Sequence, residues 1–156
     1  MARSKENLAP RIENRRALHD YFIDSKLECG IALQGSEVKS LRQGTAQLAE
    51  GWAQIEGREL ILHGCHIEPY RQASIAYNHE PRRPRKLLVH RREIKRLQDE
   101  MSQGGYTLIP LAVYFKEGRA KVELGLARGK KSHDKRDSIR EREMKAEIRR
   151  AMTKRQ

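Results

Sequence analysis

Apolar and polar positions alternate with a period of two through the middle and late parts of this chain. Residues 108–115 and 120–126 alternate on either side of Lys116-Glu117-Gly118-Arg119. Leu111, Val113 and Phe115 share one face of the first run, and Ala120, Val122, Leu124 and Leu126 share one face of the second. Residues 52–55 and 60–67 flank Glu56-Gly57-Arg58 in the same way. Alternation interrupted by a glycine predicts antiparallel hairpins, because a tight hairpin turn needs positive φ. Further strand patterns cover 19–23 and 27–33. Helical spacing is confined to short stretches. One helix opens at Gly35-Ser36 with Ser36 as its cap, sets Val38 and Leu41 on one side and stops at Gly44. Another spans 91–102, with Ile94, Leu97 and Met101 in line and Gly104-Gly105 as its stop. Many short antiparallel strands with few helices predict a mainly β chain, an OB-fold-like closed antiparallel β-barrel with flanking short helices.

Charge divides the chain into three. Residues 1–16 are polar and basic and read as a flexible arm, residues 17–128 hold the barrel, and residues 129–156 form a basic tail. The net charge is +12 and the pI about 10.0 over 156 residues. From Arg128 to the end, twelve Lys or Arg face five Asp or Glu, and few apolar residues interrupt them. Such a stretch cannot bury a core and is expected to gain order only against a partner. That partner should be a polyanion, whose counterions the tail would release on binding. Nucleic acid and an anionic membrane both fit the charge. The membrane fits less well, because the tail lacks the bulky apolar face of an interfacial helix. The longest apolar run, 108–115, is too short to span a bilayer and contains Pro110. No apolar stretch follows Met1-Ala2-Arg3-Ser4, so no secretory signal is expected. Cys29 and Cys65 are then expected as free thiols in a reducing cytoplasm.

Candidate chemistry points the same way. Residues 78–86 carry Arg82, Arg83, Arg85 and Lys86 between and beside Pro81 and Pro84, and are expected to form an exposed basic loop. With Lys130, Lys131, Lys135 and Arg136 they are the natural holders of phosphate. His19, Tyr21 and Tyr77 are rings on which unpaired bases could stack, or which simply pack the barrel; periodicity favours packing for each. His63, Cys65 and His66 invite a metal, but nothing completes a four-ligand set, so no metal or cofactor is expected. Asp20, Glu28 and Glu37 lack the spacing of a magnesium site, and no nucleophile has a base beside it. Acidic residues beside a basic surface also suit acceptance of base N–H groups or pairing with Arg. The chain reads as a binding protein and not an enzyme. Ile139, Met144, Ile148 and Met152 drift along one side of the tail, which gives it weak helical character that is marginal in isolation.

Several separate strings together resemble one family. These are Asn14-Arg15-Arg16-Ala17, Gly35-Ser36-Glu37-Val38-Lys39-Ser40-Leu41-Arg42, Pro84-Arg85-Lys86-Leu87-Leu88, and Gly125-Leu126-Ala127-Arg128-Gly129-Lys130-Lys131 followed by His133-Asp134-Lys135-Arg136. In order and content they resemble the SsrA-binding (SmpB) family from about residue 10 to the end. The resemblance implies a bacterial, cytoplasmic adaptor that binds the tRNA-like domain of transfer-messenger RNA (tmRNA, or SsrA). Family members bring that RNA, aminoacylated and with elongation factor Tu, to stalled ribosomes for trans-translation and peptide tagging. The resemblance places the RNA face at His19, Tyr21, Glu28, Leu88, Lys121 and Gly129. It places tail function at Asp134, Lys135 and Arg136, with His133 set to stack on a base of the decoding centre while the tail lies as a helix in the empty mRNA channel. Cys29 stands where small residues are common in the family. The rival reading is a structural ribosomal protein whose basic tail threads rRNA.

Overall fold

The computed structural model describes residues 9–154; the first eight residues of the expected arm lie outside the described residues. The elements in chain order are β1 (Ile12–Glu13), α1 (Arg15–Asp20), β2 (Tyr21–Ile31), α2 (Gly35–Arg42), β3 (Ala46–Gln47), β4 (Trp52–Glu56), β5 (Glu59–His63), β6 (His66–Ile67), β7 (Arg85–Leu88), α3 (Arg91–Met101), β8 (Thr107–Lys116), β9 (Arg119–Gly129) and α4 (Ser132–Lys154). Seven strands make one antiparallel sheet in the order β1-β8-β4-β5-β7-β2-β9, and pairing of β8 with β9 closes six of them, β8 to β9 in that order, into a ring to which β1 adds along β8. β3 and β6 pair separately. The chain is therefore mixed α/β: an antiparallel ring with helices on it and a long C-terminal helix.

Hairpin chemistry produces the ring. Glu117 and Gly118 both hold positive φ, +53° and +77°, which joins β8 to β9 by a two-residue turn of matching twist. Inside the ring pack Cys29, Leu60, Leu62, Leu87, Leu108, Val113, Val122, Leu124 and Leu126, under α2 and α3 through Leu41 and Leu97. A second, smaller cluster of Ala17, Ile109, Leu111 and Ala127 lies beneath α1 with Tyr21 and Ile23. Two bulges make this possible. The β2–β9 register shifts between Ile23 and Ser25, and the β8–β9 register shifts between Pro110 and Ala112. One extra residue reverses which face a strand presents. Leu111 thus joins the outer cluster while Val113 joins the inner one, so the shared face expected for Leu111, Val113 and Phe115 does not form.

Other expectations are corrected at their ends. Residues 12–16 are folded: β1 adds to β8, and buried Asn14 donates to the Pro110 and Leu48 carbonyls at 2.9 and 3.3 Å while its Oδ1 accepts from Ala17 N. That cap makes 15–20 a helix, so His19 sits in the last turn of α1 and not on a strand. α2 is capped by Gln34, not Ser36, through reciprocal bonds with Glu37. The 60–67 run breaks at Gly64, which has φ +73°. A Cβ at Gly64 would strike the Glu50 carbonyl, which cannot swing aside as a side chain could. Gly64→Ala is expected to lower stability by about 2 kcal/mol or more, read from the urea midpoint; a change under about 0.5 kcal/mol would contradict the crowding.

Candidate nucleic-acid interface

The proposed contact residues fall into two groups at opposite ends of the β2–β9 ladder. Gly30 pairs with Leu88 on one side and Lys121 on the other, whereas Tyr21 pairs with Gly129. Nine residue steps along β2 lead from Tyr21 to Gly30, so the groups lie about 30 Å apart.

The first group is a flat patch formed by β7, β2, β9 and β8. Leu88 occupies an outward position of β7 and is 51% exposed. Gly30 beside it is bare; a Cβ there would come within 3.1 Å of Leu88 Cβ. With Leu33, Val38, Phe115 and Lys121 they line a cleft of about 390 Å³. Lys121 has no carboxylate within salt-bridge distance among the described residues, so its ammonium is available. Glu28 is already engaged: Tyr114 Oη donates to its Oε2 and Lys116 Nζ to its Oε1 at 3.4 Å. The Tyr114 bond is the largest influence on the Glu28 carboxyl and, with the Lys116 charge, outweighs desolvation and holds the group below the usual carboxylate range. Burial, and then Glu28, push the Tyr114 hydroxyl well above its ordinary value. Glu28 is therefore an ionised acceptor of fixed direction. Around it Arg11 and Lys26 pair with Glu123 at 3.3 and 3.6 Å.

The second group surrounds the end of α1. His19 Nδ1 lies 2.8 Å from Asp20 Oδ1, and the same carboxylate meets Arg16 at 3.3 Å and Lys135 at 3.5 Å. Lys130 is committed internally: its N–H donates to the Asp20 carbonyl at 2.9 Å, and its ammonium donates to the Leu18 carbonyl at 3.0 Å and Ser138 Oγ at 2.7 Å. Lys131 N–H donates to Asp134 Oδ2 at 3.2 Å, fastening the start of α4. Arg128 pairs with Asp24 at 3.1 Å. The side chain of His133 lies outside the described residues.

The basic loop is not the free cluster its composition suggested. Arg85 is 1% exposed, because β7 alternates and puts residues 85 and 87 inward. Its guanidinium donates to Glu37 Oε2 and to the Cys65 and Pro81 carbonyls, the last two both at 3.0 Å. Arg83 Nε reaches Glu37 Oε1 at 3.0 Å, and Gln34 N–H reaches the same oxygen at 2.8 Å. Burial works to raise the Glu37 carboxyl, but Arg83, Gln34 and Arg85 together outweigh it and hold the group low. Arg82 and Lys86 stay on the surface, paired with Glu50 at 2.8 Å and Glu59 at 3.0 Å.

The residues considered for metal chemistry do not converge. His63 stacks on Trp52 at 4.5 Å and meets Glu56 at 2.8 Å, while His66 meets Glu68 at 3.0 Å. Cys29 and Cys65 are buried free thiols, each pushed up to about 12 by desolvation. Among the described residues no three His, Cys, Asp or Glu could hold one ion. Among the same residues no helix is long and apolar enough to cross a membrane. Local pattern does not single out Gly30, Tyr114 or Lys116. A glycine inside a strand was the one available signal, since it marks a close approach; the other two are brought to Glu28 by long-range pairing.

Comparison with known proteins is consistent along the chain. A family model described as SmpB protein matches residues 11–154. An SsrA-binding protein from Symbiobacterium thermophilum is 52% identical over 153 residues, covering 97% of this chain and 96% of that one. Another SsrA-binding protein, from Moorella thermoacetica, is 56% identical over 145 residues, covering 92% and 93%. A solved structure described as "tmRNA-SmpB: a journey to the center of the bacterial ribosome" matches with a TM-score of 0.69 at 51% identity, covering 85% of this chain and 96% of that chain.

Proposed function

Because this chain belongs to the SmpB family of SsrA-binding proteins, we infer that it is the tmRNA-binding protein of trans-translation, a binding protein without catalytic activity. Two regions divide the work. The ring of strands, read as an OB-like barrel, holds the tRNA-like domain of tmRNA, and α4 acts on the stalled ribosome. The observation that carries the first half is the patch at the Gly30 end of the ladder. It offers an apolar contact at Leu88, an available ammonium at Lys121 and an ionised acceptor at Glu28, over a floor that Gly30 keeps flat. An acceptor for base N–H groups, a phosphate holder and a surface a nucleoside can lie against are what a structured RNA requires. Arg85 serves this face indirectly, by anchoring the start of β7. Lys86, Arg82 and Lys131 lie outside, where they add to the field that draws RNA in. His19 and Tyr21, at the far end, extend the footprint toward α4.

The second half concerns the tail. α4 exposes Ile139, Met144, Ile148 and Met152 and is fastened to the body through Lys130 and Lys135. We read its order as conditional on a partner, with the empty mRNA channel supplying the anionic wall and elongation factor Tu arriving on the aminoacylated RNA. The helix then lies where a message would, beside the decoding centre, and His133 meets a base there.

Glu28→Ala is expected to weaken binding of the tRNA-like domain by about 1–3 kcal/mol, the usual loss for a charged acceptor, in a filter-binding titration. Tyr114→Phe, which removes the donor but keeps the carboxylate, should cost less. An unaltered isotherm for Glu28→Ala would take that residue out of the interface.

A further inference from the structure

We propose that the loop from Tyr70 to Asn78 is a second contact for the same RNA, with Tyr77 stacking on an unpaired base; this rests on the RNA-binding reading above. The loop displays apolar groups that nothing in the fold uses. Ile75 is 97% exposed and Tyr77 84% exposed, at a single turn of 3-10 helix spanning Ile75–Tyr77. Exposed apolar tips are common on slack loops, but this loop is braced. The Asn78 side chain closes its base twice, accepting from Tyr70 N–H at 3.0 Å and donating to the Tyr70 carbonyl at 2.9 Å. Ala73 N–H bonds the Tyr70 carbonyl, and Tyr77 N–H bonds the Ser74 carbonyl, at 3.1 and 3.0 Å. Next to Asn78, buried His79 donates from Nε2 to the Ile67 carbonyl and accepts on Nδ1 from Ser36 Oγ, both at 2.8 Å. The loop is thereby clamped to β6 and α2, and the ring of Tyr77 is presented in advance of any partner.

The surroundings select nucleic acid over an apolar protein surface. Across residues 69–79 the single charged side chain is Arg71, and Lys39 of α2 stands 5.4 Å over the Tyr70 ring. A loop that presents an exposed tyrosine among small polar groups, with cations at its base in Arg71 and Lys39, suits a base with its phosphate, and every base has a face to stack. Position selects which RNA. Val38 lines the Gly30–Leu88–Lys121 cleft, and its neighbour Lys39 contacts the loop, so α2 bridges the two surfaces. That end of the molecule is the one assigned to the tRNA-like domain, and it lies away from Gly129.

Tyr77→Ala should weaken binding of the isolated tRNA-like domain about tenfold without shifting the thermal midpoint, since the ring contributes nothing to the core. Tyr77→Trp should keep the affinity, and Tyr77→Phe should keep most of it. A benzophenone side chain placed at 77 should cross-link to tmRNA in the assembled ribosomal complex. Unchanged affinity for Tyr77→Ala alongside a loss for Glu28→Ala would overturn this second contact and leave the RNA-binding face standing. Unchanged affinity for both would overturn the face as well. Cross-linking to rRNA or to a ribosomal protein in place of tmRNA would also overturn it.

Discussion

Glu37→Ala is expected to cost about 3–5 kcal/mol of folding stability, the largest effect of any single substitution considered for this chain. Glu37 is fully buried and holds Arg83 and Arg85 at once while closing the first turn of α2. Removing it leaves the guanidinium of Arg85, itself buried, without its counter-charge, and water cannot reach it. α2 would lose its cap in the same step. A urea titration measures the loss, and a shift under about 1 kcal/mol would show that the cluster relaxes into solvent. Acid should act along the same path. The Glu37 carboxyl titrates lower folded than its ordinary value of 4.5. Its contribution is therefore complete above about pH 4.5 and is lost as pH falls through the depressed folded value. Glu37→Gln should flatten that part of the pH–stability curve. The RNA face should weaken with it, because Arg85 begins the strand that ends in Leu88.

Replacing Asp134, Lys135 and Arg136 together by alanine is expected to abolish peptide tagging while leaving tmRNA affinity within about twofold. These side chains lie at the opposite end of the β2–β9 ladder from Glu28, Leu88 and Lys121, so the patch should not sense them. They do hold the tail's origin: Lys135 pairs with Asp20 at 3.5 Å, and Asp134 accepts from Lys131 N–H at 3.2 Å in the first turn of α4. The triple change would remove an N-terminal acidic group and an anchor to α1, so α4 should start later and point differently. A tagging assay on ribosomes stalled without a stop codon, paired with an RNA-binding titration, separates the two functions. Loss of both in equal measure would contradict the division of labour.

Much of the site was legible only as a collection of residues. The 116–119 turn and its flanking alternation specify β8 and β9, and the helix over Ile94, Leu97 and Met101 appears where its period puts it. His19 reads as part of a strand because the helix it ends is capped by Asn14, whose two carbonyl partners lie 34 and 96 positions away. The loop through Arg82, Arg83, Arg85 and Lys86 read as free charge because its main partner, Glu37, lies on another element. The pairing of Tyr114 with Glu28 spans 86 positions, and no local pattern signals it.

The chain by itself determined its polyelectrolyte character, its hairpins, its family and the strongly basic end, because composition, turn chemistry and motif order are local properties. Closure of the ring, the two bulges that turn Leu111 and Ile23 toward α1, and the choice of which cations face water were decided only in three dimensions. Desolvation makes that choice: a guanidinium carried inward by strand alternation must find a carboxylate, and Arg85 finds Glu37. Lys121, carried outward, keeps its charge for a partner.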